Sequence, residues 1–149
     1  MFDSMETTMK IPTEADWKYH PGDLDAAWAY KNFRGKTLAE ADKLFVENAF
    51  YYQEDIMFMP KPCFCFYVQA YINYLFSEHS KGDSDAAHAF FGIVRIRKDD
   101  IRSGPQILRR RIRELLLHLG ANQSWYEALI EIDGDFRAMT EEALTLISE

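Results

Sequence analysis

The chain has 149 residues, with 17 Lys and Arg against 24 Asp and Glu, for a formal net charge of −7. Hydrophobic residues at 48% and aromatics at 15% exclude general disorder, and the length suits one domain that buries a core without disulfides or metal. The acidic balance weighs against nucleic acid as a partner, because it repels phosphate backbones at long range.

The first 16 residues lack a basic start followed by a sustained apolar run. No uncharged apolar span reaches the ~18 residues a membrane helix needs; the best stretch, 64–76, is broken by Gln69 and Asn73. These features predict a cytoplasmic protein with no membrane association. Cys63 and Cys65 fit that compartment. At i and i+2 of a helix their side chains diverge by roughly 200°, so they share neither a disulfide nor a metal, and buried inert thiols are expected.

Residues 1–16 read as a loose N-terminal arm and 17–149 as a single helical domain, with Trp17, Tyr19 and Pro21 tacking the approach to the first helix onto the body. A nine-residue phrase then occurs twice, sixty positions apart. Residues 22–30 read GDLDAAWAY and residues 82–90 read GDSDAAHAF. In each copy a turn-forming Gly precedes an Asp suited to cap a helix. A second Asp then falls in the first turn, where the helix dipole favours a carboxylate. Convergent helix starts are the leading reading; duplication of a two-helix unit, or a paired-acid site of Asp23, Asp25, Asp83 and Asp85, are the alternatives.

The first helix is expected over 24–33, stopping at Gly35. Thr37 and Glu40 form a capping box for a second helix, with Leu38, Ala41, Phe45, Ala49 and Tyr52 along one face. Pro60 and Pro62 interrupt the chain. A third helix, about 63–79, is apolar nearly all round except for a stripe of Gln69, Asn73 and Ser77, which makes it the helix that others surround. The fourth starts at the second repeat, though residues 93–97 also alternate as a strand would; context favours helix.

Pro105 opens a fifth helix carrying Leu108, Ile112, Leu115 and Leu119, closed by Gly120. Ser124 and Glu127 read as a capping box for a short helix with Trp125 and Leu129. After the turn 133–135, Thr140 reads as the cap of the last helix. The class is all-α, a bundle of about six helices around the central one.

Charge is unevenly spread. Residues 95–113 hold eight basic groups against two acids, whereas the rest of the chain holds nine against 22. Arg109, Arg110 and Arg113 form the core of this basic patch, but Arg110 and Arg111 point about 100° apart on a helix, so the charge wraps around it. Ion pairing within the protein is the first expectation, an acidic partner or a homodimer the second, nucleic acid the third. Leu117, on the Arg-rich side, hints at such a dimer interface.

Catalytic patterns are wanting: there is no GxSxG, no HExxH and no Gly-rich phosphate loop. No His has a Glu three residues before it, as a helical dimetal site requires. Glu131, Asp133, Asp135 and Glu142 match a calcium-loop spacing, but Phe136 occupies the position that needs Gly, so an acidic turn is expected and no metal or cofactor is assigned.

Three functional classes follow. The first is a non-enzymatic interaction or inhibitor/immunity-type module with an acidic face, binding a protein that is itself basic, through Trp17, Tyr19, Asp23, Asp25, Trp28 and Tyr30. The second is a small-ligand or metal-binding domain, with a pocket of Tyr67, Gln69, Tyr71, Asn73 and Tyr74 on the central helix. The third is nucleic-acid binding through 95–113.

Overall fold

Turn formers and capping side chains recur along the chain wherever an apolar stripe begins, and helices form there. The computed structural model describes residues 9–148; among them there is no strand. Six helices have ten or more residues: α1 (Leu24–Phe33), α2 (Leu38–Met57), α3 (Lys61–Phe76), α4 (Ser84–Ile96), α6 (Gln106–Ala121) and α8 (Phe136–Ile147). Two short ones, α5 (Lys98–Arg102) and α7 (Ile130–Asp133), lie between them. Single 3₁₀ turns occupy Glu14–Trp17, Glu78–Ser80 and Gln123–Tyr126. No helix among the described residues is long and apolar enough to cross a membrane.

The all-α expectation holds, and α3 is the centre. From Cys63 to Leu75 every residue except Asn73 is buried. α2 lies along α3 in the most extensive interface, α6 flanks α3 and packs on α8, and α4 bridges α2 and α8. The tyrosines of α3 resolve the problem of burying hydroxyls, which need acceptors when removed from water. Tyr67 donates to the Lys36 carbonyl at 2.8 Å, Tyr71 to that of Ala86 at 2.6 Å, and Tyr74 to Asp83 Oδ2 at 2.6 Å. From outside, Tyr126 donates to the Leu75 carbonyl at 2.6 Å, and burial pushes its hydroxyl up to about 12.

Local caps form as read. Asp23 and Asp83 each accept from the backbone N–H three residues on, at Ala26 and Ala86. Thr37 and Glu40 make the reciprocal capping box. The loose arm expected over 1–16 falls, for residues 1–8, outside the described residues. Beyond them Met9 packs against the core and Pro12 is buried. Residues 93–96 are helical, and α5 follows after Arg97. Arg97 is itself buried. Its guanidinium lies 4.3 Å from the centroid of the Phe64 ring, donates to the Met57 carbonyl at 2.9 Å and pairs with Asp100 at 2.8 Å.

Four local expectations change. α2 is broken at Asn48, whose backbone is extended (φ −162°, ψ 79°) and whose Oδ1 accepts from Tyr51 N at 3.1 Å, capping a second helical segment. Gly120 lies within α6 and marks the place where α8 crosses it. Glu127 adopts a left-handed conformation (φ 57°) after a 3₁₀ turn, so no capping box forms with Ser124. Asp135 caps α8, while Thr140 is buried inside it and donates to the Leu116 carbonyl at 2.7 Å.

The α6–α8 crossing is a sensitive test of this packing. A Cβ on residue 120 would sit 2.8 Å from Thr140 Oγ1 and 3.6 Å from the Arg137 backbone. Gly120→Ala is therefore expected to destabilise by about 1–3 kcal/mol in urea denaturation, although alanine is favoured in helices by about 1 kcal/mol. Adding Thr140→Ala should recover part of that loss.

Candidate functional site

A single exposed aromatic ring is ordinary, but a cluster of them marks a candidate surface, and here they concentrate between α1 and the second half of α2. On α1, Asp25 and Trp28 are three residues apart and share a face. On α2, Tyr51, Glu54 and Asp55, followed by Phe58 at its end, stand at i, i+3, i+4 and i+7. These six residues line a cleft of about 290 Å³. Trp28 is 51% exposed, Tyr51 49% and Phe58 37%, with Phe50 and Leu24 exposed nearby.

The cleft is anchored by one cross-helix bond, from Asn32 Nδ2 to Asp55 Oδ2 at 2.8 Å. Asp55 is buried. Its carboxyl is held above the ordinary range, first by that burial and further by the charges of Glu54 and Asp25, while the Asn32 amide works the other way. Among the described residues no Lys, Arg or His pairs with any of the three carboxylates. Beside the cleft, Lys31 places its Nζ 4.7 Å from the centroid of the Trp28 ring.

The expected contact residues therefore divide. Asp25 and Trp28 belong to the cleft. Trp17 is corrected from a contact residue to a core one: it is only 3% exposed, with its ring against Tyr30 and Tyr67. Tyr19 and Tyr30 are half-buried and tilted against each other, and Tyr30 donates to Glu14 Oε1 at 2.8 Å. Asp23 is exposed, with its side chain used as the α1 cap. The missed half of the cleft, Tyr51, Glu54, Asp55 and Phe58, carried a usable signal in the FYYQED stretch of residues 50–55, where aromatic and acidic side chains share one helical stripe.

The other candidate groups are placed as follows. Gln69 donates to the Phe66 carbonyl at 3.1 Å, and Asn73 bridges Asp42 and Arg111 at 3.1 and 2.9 Å. With the three tyrosine hydroxyls, every member of the α3 set has a partner within the protein. In the basic segment Arg109 donates to the Arg102 and Gly104 carbonyls, whereas Arg110, Arg113 and Leu117 are exposed. Among the described residues no three His, Cys, Asp or Glu side chains are grouped to hold a metal; Asp135 and Asp133 instead bind backbone N–H groups at Arg137 and Leu129. Cys63 and Cys65 are free and buried, and burial pushes the Cys63 thiol up to about 12. A second groove, of about 560 Å³, runs from Lys61 and Pro62 to residues 103–105, with Met9 and Lys10 on its wall at the edge of the described residues.

The raised Asp55 carboxyl fixes the sign of a pH effect. The folded state holds this proton to higher pH than the unfolded chain does, so ionising Asp55 removes stability as pH rises through its folded value. Asp55→Asn keeps an acceptor for Asn32 and removes the charge. The variant should melt above the parent at neutral pH, with the gap closing below the unfolded carboxylate range, near pH 4. Melting curves of both proteins between those limits check it.

Comparison with protein-family models, curated proteins and solved structures finds no match for this chain.

Proposed function

We propose that this domain is a non-enzymatic protein-interaction module, of the kind that inhibits or confers immunity by covering a partner, and that it engages a basic protein through the α1–α2 face. The observation that carries this reading is the cleft itself. It sets three exposed rings beside three carboxylates that no Lys, Arg or His pairs with among the described residues. Aromatic side chains supply contact area at low entropic cost, and unneutralised charge of one sign steers an oppositely charged partner. The formal charge of −7 adds to that steering. Two buried, unpaired thiols suit a reducing compartment and support a cytoplasmic setting.

Internal use of the Arg-rich segment favours this over nucleic-acid binding. Arg97, Arg109 and Arg111 are all bonded within the protein, which shrinks the basic surface.

Paired affinity capture tests the proposal, with the parent protein and an Asp25→Lys/Glu54→Lys variant as baits in one nuclease-treated lysate. Both positions are exposed and neither caps a helix; reversing Asp25 in the first turn of α1 lowers the melting temperature only modestly, and melting curves of both baits confirm that each is folded. A basic protein should bind the parent at near-equal stoichiometry, thin out at high salt, and be absent from the variant. Equal capture by the two baits, or capture indifferent to salt, sinks the assignment of this face.

A further inference from the structure

The cleft has the chemistry of a receptor for one flat cation. Its rings offer π-faces and its acids offer charge, but the three carboxylates are not grouped as a metal site would require. At about 290 Å³ it falls at the small end of ligand pockets, the size of a side chain and too small for a helix. A neutral apolar group would leave Asp25, Glu54 and Asp55 uncompensated beside it; a carboxylate would meet three of its own sign.

The protein already contains a rehearsal of the contact. Lys31 places its ammonium 4.7 Å from the Trp28 centroid, so this ring attracts a cation in the folded state. Lys31 is on α1, three residues from Trp28, and exposed. It occupies the ring without a hydrogen bond to Asp25, Glu54 or Asp55. Asp25 and Glu54, both exposed, therefore remain available to a cation approaching from outside.

Resting on the interaction reading above, we infer that the cleft receives an arginine side chain presented by a basic segment of the protein partner, its guanidinium over Trp28 and its N–H groups toward Asp25, Glu54 and Asp55. Arginine fits better than lysine for geometric reasons. Its guanidinium is planar, stacks on rings, and spreads five N–H donors that reach several carboxylates at once, whereas an ammonium is a compact and more strongly hydrated point charge. Lys31 then acts as an intramolecular competitor that an incoming arginine displaces from the ring.

Nitrogen-15 NMR reads the contact directly, because the indole N–H of Trp28 can be assigned with a Trp28→Phe variant. Trp17 is buried and its indole serves as an internal control of folding. The probes are the blocked tripeptide Gly-Arg-Gly, the same peptide with lysine, and the same peptide with citrulline, which keeps arginine's shape without its charge. The arginine peptide should shift the Trp28 signal saturably at millimolar concentration or below, with citrulline weaker by about tenfold or more. Asp25→Asn/Glu54→Gln should weaken arginine binding by about fivefold or more, and Lys31→Met should strengthen it by about two- to fivefold. No saturable shift, equal response to citrulline, or indifference to the acidic substitutions overturns the inference. Retained partner capture that is lost in the Asp25→Lys/Glu54→Lys variant, together with no arginine-specific shift, overturns the arginine site alone and leaves the interaction reading standing.

Discussion

Helices α2 and α4, and the 3₁₀ turn that carries Tyr126, are fixed against α3 by the requirement that hydroxyls buried on or against it find acceptors. A tyrosine in a dry core is stable only when its oxygen reaches a fixed partner, so each one specifies where a neighbouring segment must lie. Tyr67 reaches the loop before α2, Tyr71 the first turn of α4, Tyr74 the cap of that helix, and Tyr126 returns the chain to the end of α3. Apolar packing alone tolerates sliding by a few tenths of an ångström, and a hydrogen bond of 2.6 Å does not. The ring contacts then fill the space between: Phe45 stacks on Tyr71, Phe33 tilts against Tyr67, and Phe90 meets Tyr71 edge-on. The aromatic richness of the chain is largely consumed in this way, which makes the few rings left outside more informative.

The two charge classes are treated differently. Two arginines are drawn inward, where guanidinium groups close gaps between helices: Arg97 ties α4 and α5 to the end of α2 over the Phe64 ring, and Arg111 reaches Asn73 on α3. A guanidinium suits this task because it stacks and donates in several directions, with weaker hydration than an ammonium. The acids mostly stay outside or cap helices. The result is a body whose positive charge is partly structural, so that the acidic groups of the α1–α2 face are not balanced by their neighbours.

Features set within four residues were legible in the sequence. The caps Asp23, Asp83 and Thr37–Glu40 depend only on a side chain and the next backbone turn, and they formed as read. The central place of α3 was legible too, because a helix apolar on all sides has nowhere else to go. Gly120 and Thr140 were misread because glycine and threonine serve equally well at helix ends and at close crossings; contact between residues twenty apart decided which. Trp17 read both as tacking the chain onto the body and as a contact residue; a 3₁₀ turn folds it against Tyr67, which leaves the first role. Half of the cleft was visible as Asp25 and Trp28 on the first helix. The other half lay on a helix whose apolar face is so strong that its opposite, mixed stripe attracted no weight.

The break at Asn48 governs how that cleft can behave. One extended residue adds roughly 2 Å of length relative to a helical one and turns everything after it, so Tyr51 through Phe58 are aimed by two backbone torsions and not by the axis of the first segment. Asn48 is exposed, and its own side chain caps the segment that follows. The wall bearing Tyr51, Glu54 and Asp55 is thus aimed independently of the first segment's axis, and the Asn32–Asp55 bond holds it at a set distance from the wall on α1.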